Sequence, residues 1–141
     1  MKIYFAGSIR GGRDDKELYA SVIKEVQKYG TVLTEHIGSL DLTEQGESLT
    51  ETFIFERDMA WVREADVIVA EVSMPSLGVG YELGQAEALG KPMLCLYRPQ
   101  EGKRLSAMVA GNSVPVIRTY KTLEDIEVIL KDFFKTFTVS S

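Results

Sequence analysis

The chain has one cysteine, one histidine, one tryptophan and four prolines among its 141 residues, and none of its apolar runs approaches the ~20 residues of a membrane-spanning helix. The lone cysteine, Cys95 in Met93-Leu94-Cys95-Leu96-Tyr97, excludes an internal disulfide and a cysteine metal cluster, and its apolar setting reads as core. The lone histidine, His36, supports neither a zinc site nor a Ser-His hydrolase. Positive charge is scarce too. Sixteen Lys and Arg against twenty-one Asp and Glu leave a net charge of −5, without the basic excess that drives binding to nucleic acid polymers. A single small anion can still be bound locally. Met1-Lys2-Ile3-Tyr4-Phe5-Ala6 enters strand pattern at once, with no room for a signal peptide's apolar segment, so the expectation is a cytoplasmic protein that engages no membrane.

What is present is ordinary for a folded domain: 45% hydrophobic and 26% charged residues, in a length that suits one domain over residues 1–141. Apolar strand patterns at Ile3 to Ala6, Thr31 to Leu33, Val67 to Val72, Met93 to Leu96 and Val114 to Ile117 alternate with helical ones. The helices are expected at Lys16 to Lys28, Leu49 to Glu64, Val79 to Leu89, Leu105 to Ala110 and Leu123 to Phe137. Val67-Ile68-Val69-Ala70-Glu71-Val72 is β-branched and nearly unbroken, as a strand covered on both faces should be. Tyr29-Gly30 and Gly90-Lys91-Pro92 read as helix stops, and Thr122 with Asp125 as a capping box. The alternation predicts an α/β fold, a doubly wound Rossmann-like (flavodoxin-like) sheet of five parallel strands with helices on both faces. Ligands of such sheets bind at the carboxyl ends of the strands. The longest connection, Ile37 to Thr50, is polar and glycine-containing and suits a mobile loop or lid.

Three features at that sheet edge carry chemistry. Gly7-Ser8-Ile9-Arg10-Gly11-Gly12 follows the first strand, where free backbone amides cradle an anion and Arg10 adds a guanidinium. Its spacing fits neither the G-x-G-x-x-G fingerprint nor the P-loop, so a nucleoside triphosphate is not expected, and a plain chain-reversing turn fits the loop about as well. Asp58 is the second feature. At roughly 100° per residue it shares a helix sector with Ile54, Phe55, Met59, Trp61, Val62 and Ala65, while Glu56, Arg57, Arg63 and Glu64 take the other side. An inward carboxylate must be hydrogen-bonded, paired or lining a cavity.

The third is Ser76-Leu77-Gly78-Val79-Gly80-Tyr81-Glu82-Leu83-Gly84, which places Glu82 in a helix's first turn, where exposed amides favour its ionised form. An isolated early-helix glutamate is more often a surface partner of the helix dipole; an inward Asp58 nearby favours divided nucleophile and acid roles. Gly80, Gly84 and Ala88 recur every four residues as a stripe along which this helix should approach the sheet closely. Tyr4 faces away from Ile3 and Phe5, as a core tyrosine or toward the glycine loop. His36 ends the second strand at the same rim, and a surface position suits it equally.

Taken together, Tyr4 to Gly12, Leu33-Thr34-Glu35-His36, Asp58, Ala65 to Val72 and Pro75 to Gly84 resemble the 2′-deoxynucleoside 5′-phosphate N-hydrolases, within the nucleoside 2-deoxyribosyltransferase superfamily. The resemblance spans nearly the whole chain outside residues 38–49 and the tail after Phe137. It implies hydrolysis of the N-glycosidic bond of a deoxynucleoside monophosphate to free base and 2-deoxyribose 5-phosphate. Glu82 matches the family's nucleophile, Asp58 a carboxylate that contacts the sugar or handles the leaving base's proton, and Tyr4 a tyrosine that orients the nucleophile. Ser8, Ile9, Arg10, Gly11, Gly12 and Ser76 match the 5′-phosphate cradle, Gly7 and His36 a contact to base or sugar, and Ser106 a serine supplied by the neighbouring subunit. A homodimer follows, needing no cofactor and no metal. The rivals are a nucleoside 2-deoxyribosyltransferase, which has no use for phosphate-binding groups, and a non-catalytic nucleotide-binding module, which has no use for Glu82 and Asp58 together.

Overall fold

The computed structural model describes residues 1–9, 13–36 and 49–139. Five strands, β1 (Lys2–Ala6), β2 (Thr31–Leu33), β3 (Val67–Glu71), β4 (Met93–Tyr97) and β5 (Val116–Thr119), pair in parallel in the order β2-β1-β3-β4-β5. Between and after them run α1 (Arg13–Val26), α2 (Glu51–Glu64), α3 (Leu77–Ala88), α4 (Ala107–Ala110) and α5 (Leu123–Val139). This is the doubly wound sheet that the alternation predicts. The strand order reverses direction between β1 and β3, the switch point at which such sheets open a ligand crevice.

The two-residue period of the strands sorts their side chains into two cores. On one face Ile3, Phe5, Val67, Val69, Leu94 and Leu96 pack against α1 and α5. On the other, Tyr4, Ala6, Ile68, Ala70, Met93 and Cys95 pack against α2 and α3. Tyr4 thus faces away from its strand neighbours, as its alternation requires, and Cys95 is core. None of the described helices is long and apolar enough to cross a membrane.

Several boundaries differ from the sequence pattern for identifiable reasons. Ser76 accepts from Val79 N (3.2 Å) and so starts α3 at Leu77 rather than Val79. Thr50 likewise caps α2 through Phe53 N (3.1 Å). β5 begins at Val116 rather than Val114, because Val114 N turns to Asn112 Oδ1 (3.0 Å) and Pro115 has no N–H to give a ladder. α1 ends at Val26 and tightens through Tyr29 N to Val26 O (2.9 Å), so Gly30 is no helix cap. Its role is close approach, since a Cβ there would lie 2.4 Å from Met1 O. Gly90 does adopt the left-handed conformation expected of a helix stop, with φ of 73°. Thr122 and Asp125 form the reciprocal cap at α5. The stripe of Gly80, Gly84 and Ala88 is the clear miss. It faces outward, and a Cβ at Gly80 or Gly84 would meet nothing within 4 Å, so it does not bring α3 onto the sheet.

A buried acid anchors the rim. Glu71, 1% exposed at the end of β3, accepts from Ser73 N and Ser73 Oγ (both 2.8 Å) and from the Tyr120 hydroxyl, while Ser73 Oγ accepts from Arg98 N (2.8 Å). One carboxylate thereby ties the β3–α3 turn to the ends of β4 and β5. Tyr120→Phe removes a donor from a buried carboxylate and should lower stability by about 1–3 kcal/mol. The urea midpoint measures this, and an unchanged midpoint contradicts the anchoring role.

Candidate active site

The β1/β3 switch point gathers the acids. Tyr4 is fully buried on the α2/α3 face, and its hydroxyl donates to Glu82 Oε2 on α3. With α3 starting at Leu77, Glu82 is its sixth residue and lies in the second turn, beyond the free amides that the sequence pattern assigned to it. Its ionisation follows its surroundings instead. Burial pushes the Glu82 carboxyl up to about 7; Asp58 and Glu35 push the same way, and the Tyr4 hydrogen bond and Arg57 oppose them. Burial with the neighbouring acids raises the Tyr4 hydroxyl as well, keeping it a donor.

Asp58 faces inward on α2 at 8% exposure, as its helix sector predicts. Phe55, expected on the same face, is exposed and pairs with Tyr81 at 6.1 Å between ring centroids. The larger departure is Arg57. Expected on the outer side, it folds back so that Nε donates to Asp58 Oδ1 (2.9 Å) and a terminal nitrogen donates to Glu35 Oε2 (3.1 Å). Burial raises the Asp58 carboxyl against the pull of Arg57. Burial also lifts Glu35 to about 7, with Asp58 adding to the rise. Two acids in differing environments beside a hydrogen-bonded tyrosine can divide nucleophile and acid roles.

His36 is on the rim. Its Nε2 lies 2.9 Å from Gly7 O, and its ring meets Phe5 and Tyr19 edge-on at 5.9 and 5.1 Å. A carbonyl only accepts, so Nε2 carries the hydrogen; burial lowers the ring's pKa, which leaves a neutral imidazole with Nδ1 as an acceptor. Gly7 leaves little space, since a Cβ there would stand 3.0 Å from the Tyr19 ring. Beyond it Ser8 is buried and Ile9 exposed, whereas Arg10, Gly11 and Gly12 lie outside the described residues, as do residues 37–48 of the suggested lid.

Ser76 and Ser106 stand at helix starts. Each caps a helix, Ser106 through Met108 N (3.3 Å), and both line an open groove of about 830 Å³ between α3 and the segment that carries α4. Gly80, Gly84, Leu77 and Met108 line the same groove. Among the described residues no three or more His, Cys, Asp or Glu side chains are gathered to hold a metal ion.

Glu35 and Arg57 escaped the sequence reading. The available signal was charge balance: an inward Asp58 needs a counter-ion, and the nearest cation in sequence is Arg57. Glu35 precedes His36 at a strand end, a position whose importance follows only from the parallel register.

Burial of Glu82 carries a stability consequence. Its folded pKa is raised from 4.5 to about 7, so the folded state binds the proton more tightly and stability falls as pH rises across that window. Glu82→Gln should therefore be more stable than wild type at pH 8 by about 1–2 kcal/mol, with no gain at pH 4. Urea unfolding at the two pH values checks this, and an equal gain at both contradicts it.

The chain matches the nucleoside 2-deoxyribosyltransferase family over residues 3–116. It is 52% identical over 139 residues to the 5-hydroxymethyl-dUMP N-hydrolase of Tetraodon nigroviridis, covering 95% of this chain and 97% of that protein. With the 5-hydroxymethyl-dUMP N-hydrolase of Mus musculus it shares 51% identity over 140 residues, 96% of this chain and 80% of that one. The structure of a 2-deoxyribosyltransferase from Bacillus psychrosaccharolyticus superposes with a TM-score of 0.64 at 20% identity, covering 90% of each chain, and shows the same fold. Since the family match runs from the first strand through the start of the last and takes in every strand end at which the acids meet, the chain belongs to the nucleoside 2-deoxyribosyltransferase family.

Proposed function

We propose that the chain is an N-glycosidase that hydrolyses 2′-deoxynucleoside 5′-monophosphates to free base and 2-deoxyribose 5-phosphate. The observation that carries this reading is Glu82 held by the Tyr4 hydroxyl beside Asp58, in a chain about half identical to proteins named 5-hydroxymethyl-dUMP N-hydrolase. Tyr4 engages Oε2 of Glu82, which leaves Oε1 to attack C1′. As the C1′–O bond forms, the C1′–N bond breaks and its electron pair leaves with the base, which takes a proton from Asp58. Water then attacks C1′, its proton passes to Asp58, and Glu82 is released. The two inversions retain configuration. A sugar without a 2′-hydroxyl reaches the cationic transition state more readily, and the acid cluster favours positive charge there.

The 5′-phosphate is assigned to the turn after β1, with Ser8, Ile9, Arg10, Gly11 and Gly12, and to Ser76; the base or sugar is assigned to Gly7 and His36. A neutral His36 offers Nδ1 as an acceptor for a substrate hydroxyl or amino group.

A homodimer is part of the proposal. Leu77 is 96% and Met108 84% exposed beside the outward stripe of Gly80 and Gly84, a surface on which a second copy can settle closely and bring its Ser106 across. Gly84→Arg should then halve the mass seen by sedimentation without loss of helix content. A wild-type monomer contradicts the dimer.

Incubation with each deoxynucleoside monophosphate, with and without an added acceptor base, tests the activity. Free base should be released, and Glu82→Gln should lower the rate by roughly 10³-fold or more. Asp58→Asn should cost about 10²-fold or more. No base release across the panel overturns the enzyme reading and favours the binding module; a new nucleoside product favours the transferase. The rate should climb as pH rises through about 7, where Glu82 ionises. A flat profile from pH 5 to 8 contradicts Glu82 as the titrating nucleophile.

A further inference from the structure

Adjacent helix residues diverge, so Arg57 has no intrinsic reason to meet Asp58. Packing supplies one. The guanidinium lies between the rings of Phe53 and Trp61, four residues before and after it, with its Cζ 5.9 and 4.9 Å from their centroids. Held there, it reaches Asp58 on its own helix and Glu35 at the end of β2. The side chains of Arg57, Glu35 and Asp58 are 20%, 22% and 12% exposed, so water screens these contacts only in part.

The groups facing this cluster come from four elements: Tyr4 from β1, Glu35 and His36 from the end of β2, Arg57 from α2 and Glu82 from α3. Lys16 of α1 acts on His36 from behind. Three carboxyl groups, Glu35, Asp58 and Glu82, therefore feel one guanidinium, and Arg57 contacts two of them directly.

We propose that Arg57 and Glu35 are a positioning pair for the reaction, in which Arg57 orients Asp58 and supplies its counter-charge while Glu35 draws off part of that charge so that Asp58 can hold and release a proton. This rests on the assignment of Asp58 and Glu82 to the chemistry. An Arg57 bound to Asp58 alone would fix it as a permanent carboxylate, good for orientation and useless for proton transfer. With Glu35 as second partner, the pair titrates as a coupled unit and the cation moves its weight between two acids. A lysine cannot fill the role, because it lacks both the planar face that sits between Phe53 and Trp61 and the fork that serves two oxygens.

The signs separate this from a structural salt bridge. Glu35→Gln removes a negative neighbour and leaves Arg57 to Asp58, so Asp58 and Glu82 should titrate lower, by about half a pH unit to one unit. Arg57→Met removes the cation, so both should titrate higher, by about one unit. Arg57→Lys should fall between Arg57→Met and wild type. Carboxyl-detected carbon NMR of the ligand-free protein reads these titrations without any turnover, and the acid limb of the pH profile of base release should move in the same opposite directions. Displacements of one sign in both variants, or none in either, overturn the positioning pair. Should Arg57→Met not fold, Glu35→Gln decides alone, since an upward or absent shift contradicts the proposal. Wild-type protein that releases no base defeats the glycosidase reading, while the NMR titrations still judge the link among Glu35, Arg57 and Asp58.

Discussion

Keeping a carboxylate out of water at the edge of a parallel sheet costs several kcal/mol unless its environment compensates, and that constraint organises this molecule. Among the described residues Glu82 has one donor, Tyr4, and it comes from the central strand β1 on the face packed by α2 and α3. The parallel register sets Tyr4 opposite Ile68 of β3 and Leu33 of β2, so the strands that flank the donor also fix where the next acids arrive. Asp58 comes from the helix that packs on the same face, and Glu35 from the end of β2. A site of this kind is a consequence of topology, because only a sheet that winds in both directions from β1 leaves an opening between two neighbouring strand ends.

Much of this was legible in the residues. Alternation in Ile3-Tyr4-Phe5-Ala6 placed Tyr4 on the opposite core from its neighbours, and helical spacing turned Asp58 inward; both are period arguments that need no partner. What was not legible depended on partners far away in sequence. Arg57 has the angular position of a surface residue, and the rings of Phe53 and Trp61, together with Asp58 and with Glu35 across the rim, hold it folded back. The ionisation of Glu82 was misread for a related reason. A helix-start argument considers local amides, whereas desolvation by the surrounding protein dominates one turn further on.

The Gly80, Gly84 and Ala88 stripe shows the limit of small-residue patterns. Spacing of four establishes that a backbone can be approached closely along one line, and it does not say by what. In this chain the sheet is approached through Val79, Leu83 and Ala86 instead, leaving the stripe on the groove that Ser76 and Ser106 share. On the proposed dimer, the apolar exposure of Leu77 and Met108 at the same place would give the stripe a use in association, which a single-chain argument does not supply.

The charge layout orders the site along its length. On the proposed reading the dianionic end of a nucleotide belongs to the amides after β1, and the acids gather where the sugar would develop positive charge. Three carboxyl groups beside Arg57 would repel a phosphate set among them, so on this reading they would admit the ligand in one orientation. Burial raises Glu82 and Glu35 to about 7, the neighbouring acids add to that rise, and Arg57 restrains it. On the proposed reading, a nucleophile poised near neutrality and an acid that keeps access to a proton are then two results of one arrangement, buried carboxyl groups that, among the described residues, share the guanidinium of Arg57.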